Sequence, residues 1–308
     1  MLSSELRPLS SDLAGCFESV PTPPALDTMT PHMQVGVEPR PDLGTTGTRV
    51  AMLVGPEAAR AVAAVHALAE HLGAPVANTW GVKGIYPWDN PHHMGTCGLQ
   101  RDDFDLLGFA AFDVLVTIGL DPAESPDDRL TLTRRVEVLP EPDAIDTVMT
   151  SSAPRPFLPV PNELYSRIAS VAQRGYVDDS FPRHPARAVS DLKQSLGPDE
   201  RVVAQPGLAG LWVARTFPTD RLGSVIVPAY DQPGIAAAVA LVSAAQGTPT
   251  VCVVHSESGS VDDVTAEVTT LARTLKLPLR WLRWGDDVDW SRTEDLIAAA
   301  GPVVAWAR

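Results

Sequence analysis

Residues 73–100 read GAPVANTWGVKGIYPWDNPHHMGTCGLQ, and residues 112–119 read FDVLVTIG. Asp113–Ile118 is an almost unbroken apolar run ended by Gly119. Strands covered by helices on both faces carry such runs, whereas half-exposed strands alternate. Pro75–Thr79 predicts a second strand of the same kind, 80–100 a long loop rich in Gly and Pro, and Asp102–Ala111 a helix. Upstream, Val50–Val54 predicts a strand, and Gly55-Pro56 turns the chain into a helix. Val62, Val65, Leu68 and Leu72 fall on one helical face, and Gly73 ends that helix. Downstream, Arg134–Leu139 predicts a fifth strand. Strands and helices alternating in this way imply a parallel sheet covered on both faces.

The same grammar returns after a break. Residues 141–161 lose periodicity and carry many prolines, as in APRPFLPVPNE, which predicts a linker. Helices are expected at Asn162–Gln173 and Pro185–Leu196. A second α/β unit then runs through strands Arg201–Ala204, Val225–Val227, Thr250–Val254, Leu279–Trp284 and Pro302–Trp306. Its helices are expected at Leu208–Phe217, Gly234–Gln246, Val261–Leu275 and Asp295–Ala300, with Ser260 as an N-cap. The fold class is therefore α/β: two Rossmann-like three-layer domains with parallel sheets and a disordered N-terminal arm. The expected division is an arm over 1–47, a first domain over 48–150, linker and helices over 151–198, and a second domain over 199–308. The arm follows from VPTPPALDTMTPH, where closely spaced prolines exclude a helix.

Composition narrows the function classes. The 308 residues carry a net charge of −14, so a basic face for nucleic acid is not expected. Cys16, Cys97 and Cys252 are odd in number and far apart, which implies neither a disulfide framework nor a Cys-x-x-Cys metal pair. The N-terminus lacks a basic region ahead of an apolar core, and no apolar run reaches spanning length. A reducing cytoplasm is the expected location.

The opening stretch resembles the central domain of thiamine-diphosphate enzymes of the acetolactate synthase and pyruvate oxidase type. Pro75, Val76, Thr79, Lys83, Gly84, Pro87, Pro91, Gly95 and Gly98 match that family's pattern, followed by the strand ending at Gly119. The second unit resembles the family's diphosphate-binding domain. Its opening, Val202–Trp212, carries Gln205 where the family often has an acid. Tyr230-Asp-Gln-Pro-Gly234 and the Ala-rich helix after it match, as does the strand Val251–Val254.

The resemblance implies a Gly-Asp-Gly turn after that strand, whose acid binds Mg²⁺, and an Asn some 25–30 positions later. This chain has His255-Ser256-Glu257-Ser258-Gly259 and, after the later strand, Trp284-Gly285. Bulky residues replace the glycines that let a backbone approach a diphosphate. The family's pyrimidine-binding domain, with its activating glutamate, would need about another 150 residues, which 1–47 do not supply.

The expectation is a non-catalytic relative acting as a binding or regulatory subunit. The alternative is one subunit of a split thiamine-diphosphate lyase or carboligase resembling acetolactate synthase. That second reading needs a partner chain with a pyrimidine domain; the family also implies a homo-oligomer. Thiamine diphosphate and Mg²⁺, if held, would sit at Gln205, Gly207, Ser256, Glu257 and Ser258. No catalytic or metal residue is assigned.

Other groupings combine a chemical possibility with a plainer role. Asp286 and Asp287 with Glu257 offer carboxylates to a cation, or form solvated loops. His92-His93 with Asp89 and Cys97 have zinc-ligand chemistry, but adjacent histidines converge poorly on one tetrahedral ion. His255 with Ser256, Ser258 and Asp262 or Asp263 lacks a Gly-x-Ser-x-Gly elbow. Gly55-Pro56 reads as a structural turn without a Gly-x-Gly-x-x-Gly phosphate loop. Trp281, Trp284 and Trp290 suit a pocket, an interface or a core.

Overall fold

The computed structural model describes residues 43–125, 130, 134–157, 159, 162–256 and 262–306. The expected arm lies almost wholly outside these. Its last part, 43–47, is described, and there Leu43 is buried. The Arg155 guanidinium donates to the carbonyls of Leu43 at 2.9 Å and Thr45 at 3.2 Å, which anchors the segment.

The first sheet holds β1 (Val50–Val54), β2 (Val76–Thr79), β3 (His93–Cys97), β4 (Val114–Ile118) and β5 (Arg135–Val138). Its order is β3-β2-β1-β4-β5, and every pairing is parallel. β1, β2 and β4 are buried along their whole length, as their apolar runs require. Helix α1 (Val62–Leu72) covers one face with Val65, Leu68, Ala69 and Leu72 and ends at Gly73 in the left-handed region.

Three expectations are corrected in this half and its borders. The loop 80–100 contains the edge strand β3, whose half-polar HMGTC lacks the apolar run of a central strand. The helix expected over 102–111 is divided into α2 (Asp103–Leu106) and a 3-10 turn at Phe109–Ala111. The linker 141–161 contains α3 (Pro142–Ser151), where Pro142 opens the helix instead of breaking it, because the first turn needs no donor there. Ile145 and Val148 of α3 are buried, and α3 packs on α1.

Helices α4 (Glu163–Tyr176) and α5 (Pro185–Ser195) lead to the second sheet. That sheet holds β6 (Arg201–Ala204), β7 (Val225–Ile226), β8 (Thr250–His255) and β9 (Leu279–Trp284), parallel throughout in the order β7-β6-β8-β9. Its helices are α6 (Leu208–Thr216), α7 (Ile235–Ala245), α8 (Asp263–Thr274) and α9 (Thr293–Ala300). α8 starts later than expected: the Asp262 side chain accepts from Thr265 N–H and caps it, while Ser260 lies outside the described residues. Pro302–Trp306 is not a strand. It makes one antiparallel bridge, Val303 to Gln100, and its apolar side chains pack as coil.

One apolar cluster joins both sheets. Ala51, Leu53 and Ala77 from the first share it with Val202, Ala204 and Val251 from the second, with Trp80 and Trp212 among them. Among the described residues no helix is long and apolar enough to cross a membrane.

Candidate functional site

Ligands of open parallel sheets gather beyond the carboxyl ends of the strands, where the strand order reverses. In the second sheet that point lies between β6 and β8. β6 continues into Gln205-Pro206-Gly207, and β8 ends at His255. The structure brings these ends together: the His255 N–H donates to Gln205 Oε1 at 3.1 Å. Gly207 precedes α6 with φ +92°, and a Cβ there would meet no atom within 4 Å. Ser256 is buried, and its N–H donates to the Trp284 carbonyl at 3.0 Å, so the end of β8 lies beside the end of β9. Glu257 and Ser258 lie outside the described residues.

Asp262 and Asp287 near this crevice are committed elsewhere. Asp262 accepts from Thr265 N at 2.9 Å and Thr265 Oγ1 at 2.7 Å. Asp287 accepts from Gly285 N at 3.0 Å and from Arg183 at 3.1 Å, and Asp286 adjoins it in the same turn. The His255 ring lies edge-on to Trp290, with centroids 4.7 Å apart, and Trp290 packs on the buried Trp284. Among the described residues no group of three His, Cys, Asp or Glu could hold a metal ion. Mg²⁺ demands a compact, near-octahedral oxygen set. Among the described residues of this crevice, Asp262 and Asp287 are taken by local hydrogen bonds and do not form such a set.

The reversal point of the first sheet, between β1 and β4, is closed by the protein itself. Glu57 N–H donates to the Gly119 carbonyl at 3.1 Å, and a Cβ at Gly55 would stand 2.4 Å from that oxygen. Beside it the buried Glu124 accepts from Gly81 N–H at 3.0 Å. Burial pushes this carboxyl up to about 7, opposed by the nearby Thr79 hydroxyl and the Gly81 N–H. Gly55-Pro56 is thus a structural turn.

The two adjacent histidines are engaged separately. His92 Nδ1 contacts the Ala74 carbonyl at 2.8 Å, and its ring packs on Phe157 with centroids 4.3 Å apart. Cys97 is buried, and burial holds its thiol well above the ordinary range.

His93 belongs to a different place. A cavity of about 300 Å³ opens between β3, α4 and the end of α6. Leu164, Ile168, Ala172 and Tyr176 recur every four residues along α4 and form one wall. Phe217 and Pro218 form another, and Trp88 stands at 49% exposure beside them. The polar end carries Lys83, His93, Thr96 and Arg215. The β2–β3 register slips at Val76/Ala77, so that Val76 pairs His93 and Ala77 pairs Gly95. Such bulges re-aim side chains at sheet edges.

Lys83 is 6% exposed, and its Nζ donates at 3.4 Å to Thr96 Oγ1. Burial, and then the nearby Arg215 charge, push this amine down to about 7. Burial and Lys83 together push His93 down to about 4, and its Nδ1 is buried without a hydrogen-bond partner. Each Arg215 nitrogen makes a hydrogen bond, to Gln100 Oε1 at 3.0 Å, to the Thr96 carbonyl at 2.7 Å and to Asp103. The sequence reading missed this constellation. Its signals were a lysine in an otherwise apolar stretch, VKGIY, and an arginine inside the apolar helix LWVART.

Residues 45–151 match the thiamine pyrophosphate enzyme central domain. An X-ray structure from Mycobacterium smegmatis, of a protein provisionally described as a thiamin diphosphate-dependent enzyme, aligns with a TM-score of 0.57 at 19% identity. The alignment covers 77% of this chain and 50% of that one, so this chain spans about half the length of that structure. No curated protein matches the chain. The shared fold and the central-domain match agree with each other and with the motif that ends at Gly119: residues 45–151 form a domain of the thiamine pyrophosphate enzyme central-domain type.

Proposed function

We propose that this chain is a binding or regulatory relative of thiamine-diphosphate enzymes that performs no carbon–carbon chemistry by itself. The observation that carries the reading is the crevice between β6 and β8. There Asp262 and Asp287 are committed to local hydrogen bonds, and the His255 ring lies against Trp290. In this family the cofactor supplies the chemistry and the protein supplies its placement. That placement needs a set of hard oxygen ligands, and the described residues of the crevice do not present one. The partner is a second copy of this chain, or a chain carrying the pyrimidine-binding domain.

A second reading, one subunit of a split thiamine-diphosphate lyase or carboligase, draws support from Gly207. Open space beside its Cα is what a diphosphate approaching the backbone would use.

Calorimetric titration of the purified chain with thiamine diphosphate and Mg²⁺ separates the two. The first reading expects no saturable heat at millimolar ligand. Saturable micromolar binding would overturn it in favour of the split enzyme, and a partner chain would then be sought by co-purification.

A further inference from the structure

We propose that the cavity between β3, α4 and the end of α6 binds a small monocarboxylate with an aliphatic tail, its carboxylate meeting Lys83 Nζ and His93 Nδ1. The inference does not depend on how the crevice of the second sheet is read.

The polar end is built for an anion that the described residues do not provide. Burying a charged group is costly unless it is paired. Among the described residues Lys83 has no carboxylate partner, and its one hydrogen bond is the long contact to Thr96. Thr96 Oγ1 also accepts from Asn78 Nδ2 at 3.3 Å, so that contact is shared. His93 Nδ1 adds a buried polar atom without a partner. Arg215 differs from Lys83 in that its charge already has a carboxylate partner, Asp103, and each of its nitrogens makes one hydrogen bond, to Gln100, the Thr96 carbonyl and Asp103.

The remaining walls set the rest of the ligand. Leu164, Ile168, Ala172 and Phe217 offer no hydrogen-bonding side chain, and they suit an alkyl chain. About 300 Å³ is at the small end of the range for small-molecule pockets, which excludes a nucleotide-sized occupant. Gly95 borders the same space, and a Cβ there would meet nothing within 4 Å.

Proton linkage gives the site a signature. The ionisable groups facing Lys83 are His93 on β3, Tyr165 and Tyr176 on α4, and Arg215 on α6, with Asp103 behind Arg215. With the amine held down to about 7, an arriving carboxylate favours the ammonium form and draws in a proton. Affinity therefore falls as pH rises above about 7.

The test is calorimetry of the full chain with straight-chain monocarboxylates from acetate to octanoate, in buffers of different ionisation enthalpy. Matched primary alcohols and inorganic phosphate serve as controls. The expected result is saturable binding strongest at an intermediate chain length, with proton uptake and with alcohols at least about tenfold weaker. Lys83→Met is expected to weaken carboxylate binding by about tenfold or more while the circular dichroism stays that of the wild type. Ala172→Phe, which leaves Lys83 in place and fills the cavity, is expected to shorten the preferred chain. Carboxylates that do not bind at millimolar concentration, or that bind Lys83→Met as well as the wild type, would overturn the proposal.

Discussion

Arg215 of α6 and Asp103 of α2, 112 residues apart, form an ion pair in which both side chains are buried, at 1% and 0% exposure. The pair joins the second half of the chain to the first. Asp103 also accepts from the Leu99 and Gln100 N–H groups, at 2.8 and 3.0 Å. Gln100 continues the connection, donating to the carbonyls of Leu296 and Gly301. Removing one member of a buried pair typically costs about 3–5 kcal/mol, because the other charge is left uncompensated.

The two members are not equivalent. A guanidinium stays protonated at any accessible pH, whereas a buried carboxyl can take up a proton. Burial already pushes Asp103 up, against the pull of Arg215 and the two backbone donors. Asp103→Asn is therefore expected to destabilise more than Arg215→Met, and Asp103→Leu with Arg215→Met to recover much of the loss. Urea unfolding midpoints measure this. A cost below about 1 kcal/mol for Asp103→Asn would remove the pair from any structural role.

Lys83 makes stability depend on pH in an unusual direction. Its folded value near 7 lies below the ordinary 10.5. The unfolded chain thus binds more protons between those values, and stability rises with pH across that window. Below about 7 the amine is charged in both states and the burial penalty is fully present. Lys83→Met is expected to be more stable than the wild type at pH 6, by up to the order of 4 kcal/mol. The difference should vanish toward pH 10.5. Unfolding of both proteins at several pH values reads the difference directly, and a gap that does not shrink with pH would contradict the assignment to the amine.

Glu124 works in the opposite sense. Its value is raised from 4.5 to about 7, so the folded state holds the proton more tightly than the unfolded one. Its contribution is fully present below about 4.5 and is lost as pH rises through 7. Glu124→Gln keeps an acceptor for the Gly81 N–H and cannot ionise. The variant is expected to lose this part of the pH dependence and to exceed the wild type in stability above pH 7. Identical pH profiles for the two proteins between pH 4.5 and 7 would show that Glu124 does not titrate in that range.

Much of the fold was legible because its signals are local. The apolar runs of β1 and β4, the stripe on α1 and the full extents of β6 and β9 follow directly from period and composition. β3 was not legible, since an edge strand reading HMGTC has neither an apolar run nor alternation. α3 was hidden by the prolines around it, although Pro142 sits where a helix accepts one. For the site, sequence order placed Gln205 and His255 on adjacent strand ends, where they do meet. The Lys83 cavity was out of reach. Lys83, His93, Ile168 and Arg215 come from four separate elements, and only tertiary packing turns a matched motif lysine into a buried amine.

That motif also explains the glycine after the lysine, and here a last prediction separates space from backbone conformation. Gly84 has φ +89° and Gly207 has φ +92°, so a side chain at either is strained. Residues forced into such regions cost on the order of 1–3 kcal/mol. Their surroundings differ. A Cβ at Gly84 would stand 2.4 Å from the Arg221 carbonyl oxygen, part of a backbone segment that packs against the loop, whereas one at Gly207 would meet nothing within 4 Å. Gly207→Ala is therefore expected to carry the conformational cost alone, and Gly84→Ala that cost plus the displacement of the 221–222 backbone. Thermal unfolding should rank Gly84→Ala clearly below Gly207→Ala. Because Gly84 adjoins Lys83, Gly84→Ala should also weaken carboxylate binding at the cavity, while Gly207→Ala should leave it unchanged. Equal losses of stability in the two variants would mean that the approach of Arg221 is not what requires a glycine at position 84.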